Sequence, residues 1–140
     1  MSGPLALVYP VLAVVLWTFV MMFWTLQARM SALKARRVRV ADIALSGAGW
    51  PDDVRKISNN MHNQFQTPIL FYVLCGIATY LAATTFLMVL LAWIYVATRI
   101  VHTAVHITSN RVQQRFMVFA VGVAVLIVMW VLIVIRLLSA

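Results

Sequence analysis

The sequence predicts an all-α bundle of membrane-crossing helices, and three observations lead there. Of 140 residues, 64% are hydrophobic and 10% charged, more apolar surface than a soluble chain this short can hide. The apolar residues fall in runs of about 20 or more, the helical length that spans a hydrocarbon core of roughly 30 Å. The charges lie mainly between those runs: eleven Lys and Arg against three Asp and no Glu, a net charge of +8. Basic residues placed in this way suit membrane topology and anionic ligands better than nucleic acid. The length suits one domain, residues 1–140.

The first span is expected over Leu5–Gln27, with Pro4 near its start and Pro10 in its first turns. Its uncharged stretch runs from Met1 to Ala28 with no basic segment ahead of it. That is too long for a cleavable signal, so the segment is expected to remain as a helix. Trp24 near its end suits an aromatic belt, whereas Trp17 in mid-span does not. A basic loop follows over Arg29–Pro51, carrying Lys34, Arg36, Arg37 and Arg39, and Ser46-Gly47-Ala48-Gly49-Trp50-Pro51 ends it with strong turn formers.

Asp52 and Asp53 are expected to cap the second helix. This helix starts in water near Asp53, enters the membrane around Phe65 and runs to about Ala82, with a kink at Pro68. Residues 82–85 form a short uncharged turn. The third span is expected over Thr85–Ile107 and the fourth over Gln114–Leu138, with Asn110 as N-cap. Cys75 is the single cysteine; it has no partner for a disulfide and, within an apolar run, is an inert small hydrophobe.

Charge then fixes the expected topology. Arg29, Lys34, Arg36, Arg37, Arg39, Arg55 and Lys56 gather between spans one and two, Arg99, Arg111 and Arg115 near the junction of spans three and four, and Arg136 alone opposite. Basic loops stay in the cytoplasm, so both termini are expected outside and both basic loops inside.

Lipid cannot satisfy polar side chains, so those on the spans must face other helices or a wet cavity. Arg55, Asn59, His62, Asn63 and Gln66 fall at i, i+4, i+7, i+8 and i+11, on one helical face. Arg99, His102 and His106 repeat the device at i, i+3 and i+7 on the third helix. Arg99 is expected more than a turn inside the membrane, where an isolated charge is costly. A bound anion would meet its need. Arg111 and Arg115, one turn apart at the start of the fourth helix, bring further guanidinium forks suited to bidentate carboxylate binding.

Plainer readings stand beside these. Interface arginines snorkel to headgroups, Lys34–Arg39 is a topogenic run, and buried amides and histidines can hold helices together. A metal on His62, His102 and His106 would lack any carboxylate or thiolate ligand, so none is expected.

The order Arg-x-x-x-Asn ahead of a membrane-entering Pro, then Arg-x-x-His-Thr, then two arginines, resembles a known family. It is the membrane-associated proteins in eicosanoid and glutathione metabolism (MAPEG), which include microsomal glutathione transferases, leukotriene synthase and microsomal prostaglandin E synthase. The resemblance covers essentially the whole chain. Arg55/Asn59, Arg99/His102/Thr103 and Arg111/Arg115 fall where the prostaglandin synthase branch has its own residues.

The resemblance implies a homotrimer of four-helix bundles that binds glutathione between subunits at the cytoplasmic side. Arg29, Arg55, Asn59, Arg99, His102 and Arg115 match glutathione-holding positions, and His62, Asn63, His106 and Arg111 complete the expected site. Arg115 is the expected catalytic residue, because a cationic fork beside sulfur favours the thiolate. Three positions depart from the pattern: His62 replaces a glutamate, His106 a tyrosine, and Phe116 the serine of the prostaglandin synthase branch. The run Asn60-Met-His-Asn-Gln-Phe-Gln-Thr-Pro-Ile-Leu-Phe-Tyr looks like the bacterial branch, which implies a bacterial inner membrane.

Two functions follow as alternatives. One is a glutathione-dependent transferase or peroxidase acting on lipophilic electrophiles from the bilayer. The other is a non-catalytic membrane binding or accessory protein that holds a lipid or other anion.

Overall fold

The computed structural model describes residue 3 and residues 5–139, and among them there is helix and turn but no strand. Pro4, expected near the start of the first span, lies outside them. The helices in order are α1 (Val8–Lys34), α2 (Val40–Ile43), α3 (Asp52–Asn63), α4 (Thr67–Tyr80), α5 (Phe86–Ile107) and α6 (Val112–Leu138), with a 3-10 turn at Gly47–Gly49.

Four of these helices share one apolar core. Val14 of α1, Phe71 and Leu74 of α4, Ala92 and Tyr95 of α5, and Leu126 and Met129 of α6 all belong to it. Phe71 stacks on Tyr95 with ring centres 4.6 Å apart, tying α4 to α5. The opposite faces are just as apolar: Leu12, Leu16, Phe19 and Phe23 of α1 and Ile127 and Trp130 of α6 point outward. Hydrocarbon suits such a surface and water does not. By length and composition α1, α5 and α6 can each cross a membrane. The 14 residues of α4 rise only about 21 Å, short of a core of roughly 30 Å.

The shortness of α4 corrects the expectation of one long kinked helix. Had α3 continued, the Pro68 ring would have met the carbonyl of Gln64 four residues back. The chain instead leaves helix after Asn63 and restarts at Thr67, through Gln66 at φ −96° and ψ −91°. Pro68 then sits in the first turn of α4, where its missing N–H costs nothing. Gln64 and Thr67, on either side of the break, are both buried.

The helix ends depart from the sequence reading too. Pro51 occupies the N-cap of α3 and no side chain caps it; Asp52 and Asp53 lie in the first turn, where their charge still favours the positive end. Asn110 does not cap α6. It adopts a left-handed φ of 49°, and its side chain accepts from Arg115 Nη1 at 2.8 Å. The ends of α1 and α4 close alike, with left-handed Arg36 and Ala82. In each the next amide reaches the carbonyl five residues back, Arg37 to Ala32 and Ala83 to Ala78, a Schellman closure made without glycine.

The segment between α1 and α3 is clamped by ion pairs. Arg37 donates to both oxygens of Asp53 at 2.8 and 2.9 Å, and Arg39 grips Asp42 in the same way. The bonds from Arg37 hold the Asp53 carboxyl below the usual carboxylate range. Gly49 is required here, since a Cβ would stand 2.5 Å from the Asp42 carbonyl oxygen.

Candidate functional site

The site grows from one face of α5. Tyr95, Thr98, Arg99, His102, Thr103 and His106 are all buried, at three- and four-residue spacings that keep them together. Arg99 is only 2% exposed. It stands eight residues before the end of α5, about 12 Å along the helix at ~1.5 Å per residue.

Arg99 Nη1 donates to Thr67 Oγ1 at 3.1 Å, and the Tyr95 hydroxyl donates to the same oxygen at 3.0 Å. The guanidinium lies 5.3 Å from the Tyr95 ring centre and 5.8 Å from that of Phe119, contacts that offset part of its desolvation. Its Nε and Nη2 have no partner. These two nitrogens form one edge of the fork, and such an edge takes a carboxylate side-on. The three aspartates are each held by another arginine: Asp42 by Arg39, Asp52 by Arg55 and Asp53 by Arg37. A buried cation with two unpaired donors is costly. Any group that brings acceptor oxygens to this edge recovers that cost.

His102 and His106 extend the cluster one and two turns toward the end of α5. Their rings meet edge to face at 5.7 Å, both are buried, and Nδ1 of each lacks a partner. Arg115, half-buried at the start of α6, keeps a buried Nε without a partner.

A second network centres on the Thr103 hydroxyl. Trp17 Nε1 donates to it at 3.2 Å, Asn60 Nδ2 at 3.1 Å and Gln64 Nε2 at 3.4 Å. A hydroxyl has two lone pairs for these three donors, so the long Gln64 contact is the weakest. This network binds α1, α3 and the Pro68 break to α5, and it explains a tryptophan in mid-span.

The residues expected at the site divide into two groups. Arg99, His102 and His106 come together in the interior, with Arg115 beside them at its edge. The α3 stripe does not join them within one chain: Arg55, Asn59, His62 and Gln66 are exposed and Asn63 is half-buried. Arg55 pairs with Asp52 at 2.7 Å, and Arg111 is exposed. Arg29 donates to Ser58 Oγ at 3.2 Å and lies over the Trp50 ring at 5.3 Å.

The inward side of α3 instead carries Val54, Ser58 and Asn60, with Gln64 just beyond. Sequence reasoning missed Asn60, Gln64 and Thr67. The available signal was apolar: Val54, Ile57 and Met61 mark the side that turns toward the core.

An α-helical membrane bundle with a buried arginine and two buried histidines on one internal face is the class that this fold and site define. The sequence pattern of the MAPEG family matches residues 7–135, and the chain belongs to that family and is an integral membrane protein. No curated protein and no solved structure matches it.

Proposed function

We propose that this chain is a membrane-bound, glutathione-dependent transferase or peroxidase acting on lipophilic electrophiles that enter from the bilayer. The observation that carries the reading is the unpartnered Nε–Nη2 edge of buried Arg99 in a chain of the MAPEG family. Glutathione fits that edge through its carboxylates and, when bound, supplies the nucleophilic sulfur.

The chain's own residues divide the work. Arg99 holds a carboxylate, and the His102 and His106 rings offer Nδ1 beside it. Arg115, steadied by Asn110, keeps its Nε for negative charge on sulfur, which a guanidinium stabilises. Arg29, Arg55, Asn59, His62, Asn63 and Arg111 complete the site from a neighbouring copy in a homotrimer. The α3 stripe, exposed on one chain, then lies at a subunit boundary.

The broken pair α3 and α4 together makes the remaining crossing, with its polar α3 end at the surface, so one four-span unit covers residues 1–140. Both termini lie outside and the basic loops in the cytoplasm, in a bacterial inner membrane. The lipophilic partner has a path in the groove between α4 and α6, about 370 Å³, lined by Leu70, Leu74, Ile77, Leu126 and Trp130 among others. Leu70, which lines the groove, follows Thr67 by one turn of α4.

Conjugation of glutathione to an aryl halide by the detergent-solubilised protein tests the proposal. Arg115→Ala should lower turnover about a hundredfold, the usual loss when one charge-stabilising donor is removed, with oligomer size unchanged. A second reading, an accessory protein holding a lipid phosphate, draws on Phe116, an exposed phenyl ring next to Arg115. Absence of turnover together with retained lipid binding would select it.

A further inference from the structure

We infer that the segment from Lys34 to Trp50 is a docking surface for anionic phospholipid headgroups, with Lys34 and Arg36 meeting phosphate and Val40 and Leu45 entering the lipid interface. Arg99 and its ligand play no part in it. The chain has three side-chain carboxylates, and Arg37, Arg39 and Arg55 take all of them. None is left for Lys34 or Arg36, both of which are exposed. Their countercharge has to come from outside the chain.

Helix α1 sets the height of this surface. Its uncharged stretch ends at Ala28, so Arg29 marks the border of the hydrocarbon. Lys34 lies five residues further, about 7.5 Å along the helix. The headgroup layer is about that deep, since a core of roughly 30 Å sits in a bilayer of about 40–45 Å. The far end of the segment returns to the same layer. Trp50 packs on the Arg29 guanidinium, 5.3 Å from its ring centre, and tryptophan is favoured at this depth. Both ends are thus held at the headgroups.

Between those ends Leu45 is fully exposed and Val40 is 68% exposed. The Arg37–Asp53 and Arg39–Asp42 clamps fix the backbone, as does Gly49 against the Asp42 carbonyl. Little is left to order when the surface docks. Free cations beside exposed apolar side chains match an anionic leaflet, which draws the charges to phosphate and the side chains toward the acyl boundary. A nucleic acid would answer the charges and leave Leu45 in water.

The test puts a fluorophore on the full chain through Ala44→Cys in a Cys75→Ala background. The protein is reconstituted in nanodiscs of phosphatidylcholine, alone or mixed equally with phosphatidylglycerol, and quenching by lipids carrying a shallow nitroxide is read. Quenching should be strong in the anionic discs and weak in the neutral ones, and should fall with added salt. Lys34→Gln and Arg36→Gln should each lower the docked-to-undocked ratio about fivefold, and together about twenty-five-fold. Leu45→Ser should lower it too, though it removes no charge. Arg36→Gly supplies the residue that the left-handed turn favours, so lost quenching there with an undiminished melting temperature separates docking from folding.

Equal quenching in the two kinds of disc would overturn the inference, as would undiminished docking in the double glutamine variant or in Leu45→Ser. A label that responds to dilution of the protein among discs, and not to lipid charge, would give the surface to a second copy of the chain and overturn it as well.

Discussion

Trp17 and Thr103 stand 86 positions apart in the chain and meet inside the bundle, the indole N–H donating to the threonine hydroxyl at 3.2 Å. The pair sets the register of α1 against α5. It also places Thr103 where Asn60 can reach it, one turn beyond Arg99. Trp17→Phe should cost about 1 kcal/mol, the net worth of one ordinary hydrogen bond. Thr103→Val, which strands several buried donors at once, should cost more, about 2–4 kcal/mol. Denaturation of the detergent-solubilised variants checks the order as well as the size.

Thr67 serves two donors with one oxygen, the Tyr95 hydroxyl and Arg99 Nη1. Thr67→Val keeps the shape and removes the acceptor, so both donors are stranded and stability should fall by about 3 kcal/mol. Thr67→Ser should retain most of it. Comparing the two melting temperatures separates the loss of the hydroxyl from the loss of packing.

Much of this could be read from composition and spacing. Hydrocarbon-length runs located the long helices, and the three- and four-residue spacing of Arg99, His102 and His106 placed them on one face that proved to be interior. Their company was harder to foresee. On α3 the polar stripe was spaced like an inward face, yet its neighbours Val54, Ile57 and Met61 had the stronger claim on the core, because apolar burial outweighs the alignment of amides. Thr67 and Gln64 became partners only because Pro68 broke the helix, and an α-helical period projected through a proline cannot show that. Gly122 carries no polar signal; the room it leaves for the Arg99 guanidinium is visible only once α5 and α6 are packed.

Ala82 ends α4 in the left-handed region at φ 50°, where a Cβ costs roughly 1–2 kcal/mol. Ala82→Gly relieves that cost while adding freedom to the unfolded chain. The net expectation is a gain of about 0.5–1 kcal/mol, seen as a higher melting temperature with unchanged helicity. Ala83→Gly, at a position without positive φ, should lower it.

The Arg37–Asp53 clamp should loosen in acid. Hydrogen bonds from Arg37 set the Asp53 carboxyl below its ordinary range, so the clamp's contribution is full above the unfolded value of about 3.9 and is lost as pH falls through the lowered folded value. Both side chains are largely exposed, so the effect is local and small. Measured against the intrinsic exchange rate at each pH, amide protection over residues 35–53 should fall below about pH 4 while the core helices stay protected. Arg37→Ala should show the fast exchange already at neutral pH.

The central claim is that buried Arg99 is half of a bond whose other half comes with the ligand. Titration calorimetry of glutathione into the solubilised wild type and Arg99→Gln tests it most directly. The account predicts saturable binding in the wild type that the variant weakens about a hundredfold, close to 3 kcal/mol at 1.4 kcal/mol per decade, with oligomer size and helicity preserved. Equal affinity in the two proteins, or no heat from the wild type, would contradict it.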